Sequence, residues 1–235
     1  MPKVNIYPKT KEYENLLKLY PIESANKFLP NWYKDMKLGS EKENNINAKN
    51  CPAIQDLITT GFVIPLWSNL RFETIEEKNN TITHNWFMSA TGLGYGSNMD
   101  EWISKHHTGQ TIGMDYGKLA EGSTLKINCP YVIEVPDNYS IYYYDPFYHF
   151  RKDIRCLSGI VDNDKFGEVN FPFEILKDNF YIEAGTPLIH CLVFKRDEEK
   201  LEIINNNFDQ NNFNKSQLRR DELQVAKTHY KDLKN

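Results

Sequence analysis

No apolar run in this chain approaches the roughly 18 residues a membrane-crossing helix needs, so a helical membrane span is not expected. The opening residues, Met1-Pro2-Lys3-Val4-Asn5, lack the apolar stretch of a secretory signal. The expected location is therefore cytoplasmic. The four cysteines, Cys51, Cys129, Cys156 and Cys191, include no short-spaced pair. In a chain that is not exported they read as reduced, buried thiols, and their spacing signals no zinc site. Positive charge is not in excess. Lys and Arg number 28 against 32 Asp and Glu, a formal net charge of −4, which argues against a general nucleic-acid binder. Several catalytic signatures are missing as well. There is no G-x-S-x-G for a nucleophilic serine, and no H-x-H, H-x-D or H-E-x-x-H for a metal. Cys51 and Cys129, each followed by proline, read as structural. Gly92-Leu93-Gly94-Tyr95-Gly96 lacks G-x-G-x-x-G spacing, a helix signal after it and a Walker-type lysine, so it reads as a structural loop.

Apolar and aromatic residues are plentiful. Hydrophobic residues make up 40% of the 235 and aromatic ones 13%, enough for one sizeable core and a single domain over residues 1–235. Arg155 to Arg196 is the most regular part. Ser158 to Val161 reads as a strand, Asp162-Asn163-Asp164 as a side-chain-capped turn, and Glu168 to Phe171 as an alternating strand. Phe180, Ile182 and Ala184 share one face, and Leu188 to Phe194 reads as a buried strand. The pattern predicts four strands joined tightly, as a meander or part of a barrel.

Elsewhere the signals are shorter. A strand at Val4–Tyr7 and a helix from Thr10 to Tyr20 open the chain, followed by a short helix at Asn31–Met36. Residues 39–50 read as a mobile loop, and Pro52 opens another helix that Gly61 ends. Phe62 to Trp67 reads as a strand whose Pro65 favours an edge or bulge. Leu70–Ile75 and Thr81–Met88 form a hairpin pattern. Residues 90–122 are irregular and Gly-rich. Thr124–Asn128, Tyr131–Val135 and Tyr139–Tyr144 read as three strands, with a β core over about 124–204 and an N-terminal helical and β extension over 1–90. A further strand is expected at Leu201–Ile204, a polar linker at Asn205–Asn214, and a helix over 215–233 capped by Ser216.

Two resemblances add to this reading. Gly159-Ile160-Val161-Asp162-Asn163-Asp164-Lys165-Phe166-Gly167-Glu168-Val169 resembles the G-[VI]-[IV]-D-x-D-Y-R-G-E-[VI] turn of the dUTPase and dCTP deaminase superfamily. Phe180 to Ile189 is similar to its later F-x-I-x-x-G-D-R-I-A-Q strand pair, and Val135-Pro136-Asp137-Asn138-Tyr139 to its I-P-x-G-Y turn. The resemblance covers about residues 128–196 and implies a mainly β, β-clip fold, plausibly a homotrimer. The chain departs from that pattern at three places. Lys165 stands where the family's deoxyribose-packing aromatic belongs, with Phe166 one place later. Tyr142 to His149 replaces the R-S-[GS] phosphate motif, and the Gly-rich C-terminal arm is missing. The chain also resembles an uncharacterised family of phage and bacterial proteins, through Phe28 to Lys34, Cys51-Pro52 with Gly61 to Trp67, Asn128 to Tyr131, and Val169 to Phe173 with Gly185 to Leu188. That likeness implies a phage-type protein acting in the host cytoplasm.

The candidate residues follow. Asp162, by its match to the turn, is a water-activating base if the protein is an enzyme; the other reading of Asp162 and Asp164 is a capped turn. Tyr144, Tyr148, His149 and Arg151 belong to an aromatic cluster that could stack on a base and hold a phosphate, or else fill the core or a subunit contact. With Asp162, Asp164, Lys165 and Phe166 they form the expected ligand-binding set. His106, His107, His149 and His190 carry no metal motif, and His190 reads as a hydrogen-bonded core histidine. The functional expectation is an accessory protein that binds a nucleotide-like small molecule without the full catalytic set. The alternatives are a Mg²⁺-dependent nucleotide pyrophosphatase and a virion or assembly component. No metal or other cofactor is expected outside the enzyme alternative.

Overall fold

Period-two alternation builds the antiparallel strands of the chain. The computed structural model describes residues 2–40, 46–76, 82–89, 102–107, 110, 125–196 and 202–225. Most of the 90–122 excursion, the expected 78–80 turn and the end of the C-terminal helix lie outside the described residues. The protein is mainly β. It divides into two compact units, one made of Met1–Pro30 with Thr59–Arg196, the other of Asn31–Ile58 with Asp197–Asn235.

The first unit carries three antiparallel sheets. β7 (Leu125–Glu134) is the centre of one of them. One of its edges is shared by β1 (Asn5–Pro8), at Tyr131–Glu134, and β6 (Ile103–Lys105), at Leu125–Ile127. Along its other edge runs β11 (Glu168–Ile175), which also pairs with β9 (Ile154–Cys156). The two strands expected on either side of Asn128 are thus one continuous strand. Pro130, which has no N–H to give a ladder, sits between the β1 and β6 pairings and opposite the register shift in β11. The chain runs through the proline because no N–H is required of it there, while its carbonyl accepts from Lys9 N at 2.9 Å.

A second sheet has the order β10 (Gly159–Val161), β8 (Tyr139–Tyr144), β13 (Pro187–Lys195), β3 (Phe62–Pro65) and β2 (Glu23–Ser24). Pro65 lies opposite a register shift in β13, as its position in the sequence predicts. The third sheet joins β12 (Phe180–Ile182) to the hairpin of β4 (Asn69–Glu76) and β5 (Ile82–Ser89). The central stretch is therefore not a meander. Its strands β10, β11, β12 and β13 pair with earlier parts of the chain rather than with one another. Alternation shows which residues face inward, but cannot show which neighbour a strand selects.

Side chains of the first two sheets share one core. Ile127, Cys129 and Ile133 of β7 belong to the same buried cluster as Ile141 and Tyr143 of β8 and Leu188, Ile189 and Cys191 of β13. The Tyr143 and Phe171 rings meet at 5.9 Å. Helix α1 spans only Glu14–Leu19 and buries Leu16 against this core. Thr10 starts a turn ahead of it, accepting from Tyr13 N at 3.2 Å, and does not cap the helix. All four cysteines are free, and Cys129, Cys156 and Cys191 are buried.

The second unit holds α2 (Asn31–Asp35), most of α3 (Pro52–Thr59) and α4 (Gln210–Val225). Asn50 organises its first part. Its Oδ1 accepts from Gly39 N and Asn47 N, both at 3.1 Å, and its Nδ2 donates to Gly39 O at 3.1 Å. This clamp gives the described end of the expected loop a defined turn. α4 begins six residues before Ser216, inside the expected linker. Asp209 is the residue that starts it, accepting from Asn211 N at 2.8 Å through its carboxylate and from Phe213 N at 3.0 Å through its carbonyl. Residues 202–209 carry no strand; Ile203, Ile204 and Phe208 are exposed there.

Candidate functional site

β10 ends at Val161, and the chain must then reverse within a few residues to start β11. Asp162 O takes two backbone donors, Lys165 N and Phe166 N, each at 2.9 Å, which closes the turn. Asn163 is buried beneath it. Its amide donates to Ile133 O at 3.1 Å and to Phe166 O at 3.4 Å, and its Oδ1 accepts from the Tyr143 hydroxyl at 3.1 Å. The turn is thereby fixed to both sheets.

The two turn carboxylates are occupied. Arg196, just past β13, donates from Nη1 to Asp164 Oδ1 at 2.9 Å, and its Nη2 pairs with Asp164 Oδ2. The same Nη1 lies 3.0 Å from Asp162 Oδ1. Ser140 Oγ donates to Asp162 Oδ1 at 2.6 Å, and Asn138 N to Asp164 Oδ2 at 2.9 Å. The Arg196 hydrogen bonds hold the Asp164 carboxyl down at about 2. The Ser140 hydroxyl, with Arg196 behind it, lowers that of Asp162. A carboxylate stabilised in its charged form by internal donors is a weaker proton acceptor.

The aromatic cluster is divided: Tyr143 and Tyr144 pack inward, while Phe147 and Phe150 stay exposed. Tyr144 is fully buried, with its ring stacked on Tyr142 at 4.9 Å, Phe147 at 5.1 Å and His190 at 4.7 Å. His190 Nε2 lies 2.7 Å from Thr60 O. Arg151 also turns inward. Its Nη2 pairs with Asp145 Oδ1 at 2.5 Å and its Nη1 donates to Pro187 O at 3.1 Å. Burial lowers the His149 imidazole, against the opposing effect of a backbone hydrogen bond with Phe28. Tyr148 and Phe150 have φ of +64° and +50°, and their rings meet edge to face at 6.0 Å. Asp162, Asp164, Lys165 and Phe166 are thus brought together on one turn, while Tyr144 and Arg151 are committed to internal packing elsewhere.

Beside the turn lies a cavity of about 380 Å³. Tyr143, Val169 and Phe171 give it an aromatic and apolar side. Gly159 and Val161 bring the edge strand β10 to it, and the backbone at Gly159 leaves open space, since no atom lies within 4 Å of where a Cβ would stand. Phe166 lines it while remaining 62% exposed. The ring at this cavity comes from Phe166, and Lys165 is not among the residues that line it.

Polar groups converge on the same space: His106, Gln110, Ser158, Glu168 and Asn170. An apolar pocket of this size with a few placed polar groups is the usual form of a small-molecule site. Sequence reasoning did not select these five for the site. Glu168 and Asn170 were legible as the outward positions of an alternating strand, but nothing in the sequence brought the segment of His106 and Gln110 to them.

No protein-family model matches the chain. A search of the curated proteins finds no match to it. The site therefore rests on its own geometry. Among the described residues no three His, Cys, Asp or Glu side chains gather to hold a metal ion, and no helix is long and apolar enough to cross a membrane.

Proposed function

We propose that the protein is a phage-type accessory protein that binds a nucleotide-like small molecule in the cavity beside the Asp162–Gly167 turn, without hydrolysing it. The observation that carries this reading is the cavity itself, about 380 Å³, with Phe166, Tyr143 and Phe171 among the residues that line it. An aromatic lining favours a flat aromatic guest. The β-clip architecture and a homotrimeric state belong to the same proposal, through the likeness of residues 128–196 to the dUTPase superfamily. The hydrolytic alternative needs Asp162 free to activate water. Its contacts with Ser140 and Arg196 speak for a turn anchor instead. An assembly role draws support from the exposed Ile203, Ile204, Phe208 and Phe213 in the second unit.

A thermal-shift screen of the purified protein against nucleosides and nucleotides tests the reading, because a ligand that binds only the folded state raises Tm. The expected result is a rise with one base class, abolished or strongly reduced in Phe166→Ala, whose own Tm stays near that of the wild type because the ring is mostly exposed. No rise with any compound contradicts it.

A further inference from the structure

The chemistry of the cavity rim separates two parts of a nucleotide-like guest. Phosphate groups are normally held by Lys or Arg, or by a helix N-terminus. Among the described residues no Lys or Arg lines this cavity. Its carboxylate, Glu168, is paired through Oε2 with Lys9 Nζ at 3.0 Å, so that cation is already engaged. The rim offers neutral hydrogen-bonding groups: the amides of Gln110 and Asn170, the hydroxyl of Ser158 and the imidazole of His106.

His106 stands apart from the others. Its Nδ1 is buried, with no hydrogen-bond partner among the described residues. A buried polar atom left unpaired is costly, and native structures rarely leave one without a reason. Burial lowers its pKa, and the nearby Lys126 and His107 charges act the same way, so the ring is neutral near pH 7. A neutral imidazole presents one donor and one acceptor. A half-turn about χ2, which is a soft torsion, exchanges the edge that faces the cavity.

We infer that the cavity takes the uncharged heteroaromatic ring of its ligand, a free base or the base of a nucleoside, and that His106 reads the ring's hydrogen-bonding edge while Phe166 covers its face. Phosphates, where the ligand has them, lie outside the cavity and add little affinity. The inference rests on the nucleotide-like reading above and narrows it to the base.

Isothermal titration of the full chain tests it, with nucleosides and their 5′-triphosphates as probes. The nucleoside of the preferred base is expected to bind within a few-fold of its triphosphate. His106→Ala should weaken both on the order of tenfold, the loss of one buried hydrogen bond, and His106→Gln should recover part of that loss. Unchanged Tm in either variant without ligand shows that the fold is intact. His106→Gln also serves as the test if His106→Ala does not fold. A triphosphate that binds more than about tenfold tighter than its nucleoside overturns the inference and leaves the nucleotide reading standing. Wild-type affinity in both His106 variants also overturns it. If no probe binds the wild type, the inference and the nucleotide reading both fall.

Discussion

The Arg151–Asp145 pair shows how a residue that resembles a ligand contact serves the fold instead. Asp145 Oδ1 accepts from Arg151 Nη2 at 2.5 Å and from Cys156 N at 2.9 Å, and the Arg151 side chain is only 7% exposed. Removing the carboxylate leaves a buried guanidinium without its partner. Asp145→Ala is expected to destabilise the protein by about 3–5 kcal/mol, measured by urea denaturation. A loss below about 1 kcal/mol, the range of an exposed pair, would return Arg151 to the surface and to ligand binding. The sequence shows an Arg beside six aromatic residues and an Asp six positions earlier, but not whether the guanidinium points in or out. The Asp162–Gly167 turn was more legible. Asp, Asn and Asp in succession predict a turn capped by its own side chains; the turn forms, but Asn163 and Asp164 bond the distant backbone of Ile133 and Asn138, and the Asp162 carbonyl closes it. Their partners Arg196 and Tyr143 are more than 15 residues distant, and local pattern carries no information about them.

At the scale of elements, proline and glycine account for much of what was read correctly and for some of what was not. Pro65 and Pro130 both fall at register irregularities, yet only Pro65 was read that way, because Pro130 follows Cys129 and looks like a break between strands. Gly61 is a position the sequence marked correctly as the end of α3. Its φ is +82°, and a Cβ there would stand 2.0 Å from the Cys191 carbonyl oxygen on β13. Gly61→Ala is therefore expected to cost more than the roughly 1–2 kcal/mol of left-handed backbone alone, since β13 must shift as well. Chemical denaturation measures this, and a loss under about 1 kcal/mol would mean that β3 and β13 do not approach so closely. The start of α4 was missed for a different reason. Asp209 caps the helix through an Asn-rich first turn whose composition favours a linker.

For the whole molecule, the strands were legible one by one and their assembly was not. The sequence shows short spans of alternation, such as Glu168 to Phe171. It does not show that β10, β11, β12 and β13 go to three different sheets, a choice made by cross-chain packing. The assembled core also sets how the protein responds to acid. His106, His149 and His190 all have imidazoles lowered from the ordinary 6.5, chiefly by burial. The unfolded chain therefore binds their protons first, and stability falls as pH drops below about 6.5. Asp164, held at about 2 against an ordinary 3.8, adds a second loss as pH falls through that lower interval. Tm measured from pH 8 to pH 3 should hold steady to about pH 7, then decline in two stages. A flat profile between about pH 7 and 5 would contradict the burial of the three histidines.

The central claim is that the cavity beside the turn is the ligand site, and Gly159 gives the most direct test of it. Gly159 lines the cavity, and among the described residues no atom stands within 4 Å of where its Cβ would be, so Gly159→Leu is expected to narrow the cavity at little cost to the fold. The measurement is the ligand-induced rise in Tm for wild type and Gly159→Leu with the preferred compound of the nucleoside and nucleotide panel. At about 100 times Kd the wild type should rise by about 5 °C or more. Gly159→Leu should show no rise, with an unliganded Tm at or above that of the wild type. An equal rise in both proteins would place the ligand elsewhere and contradict the account.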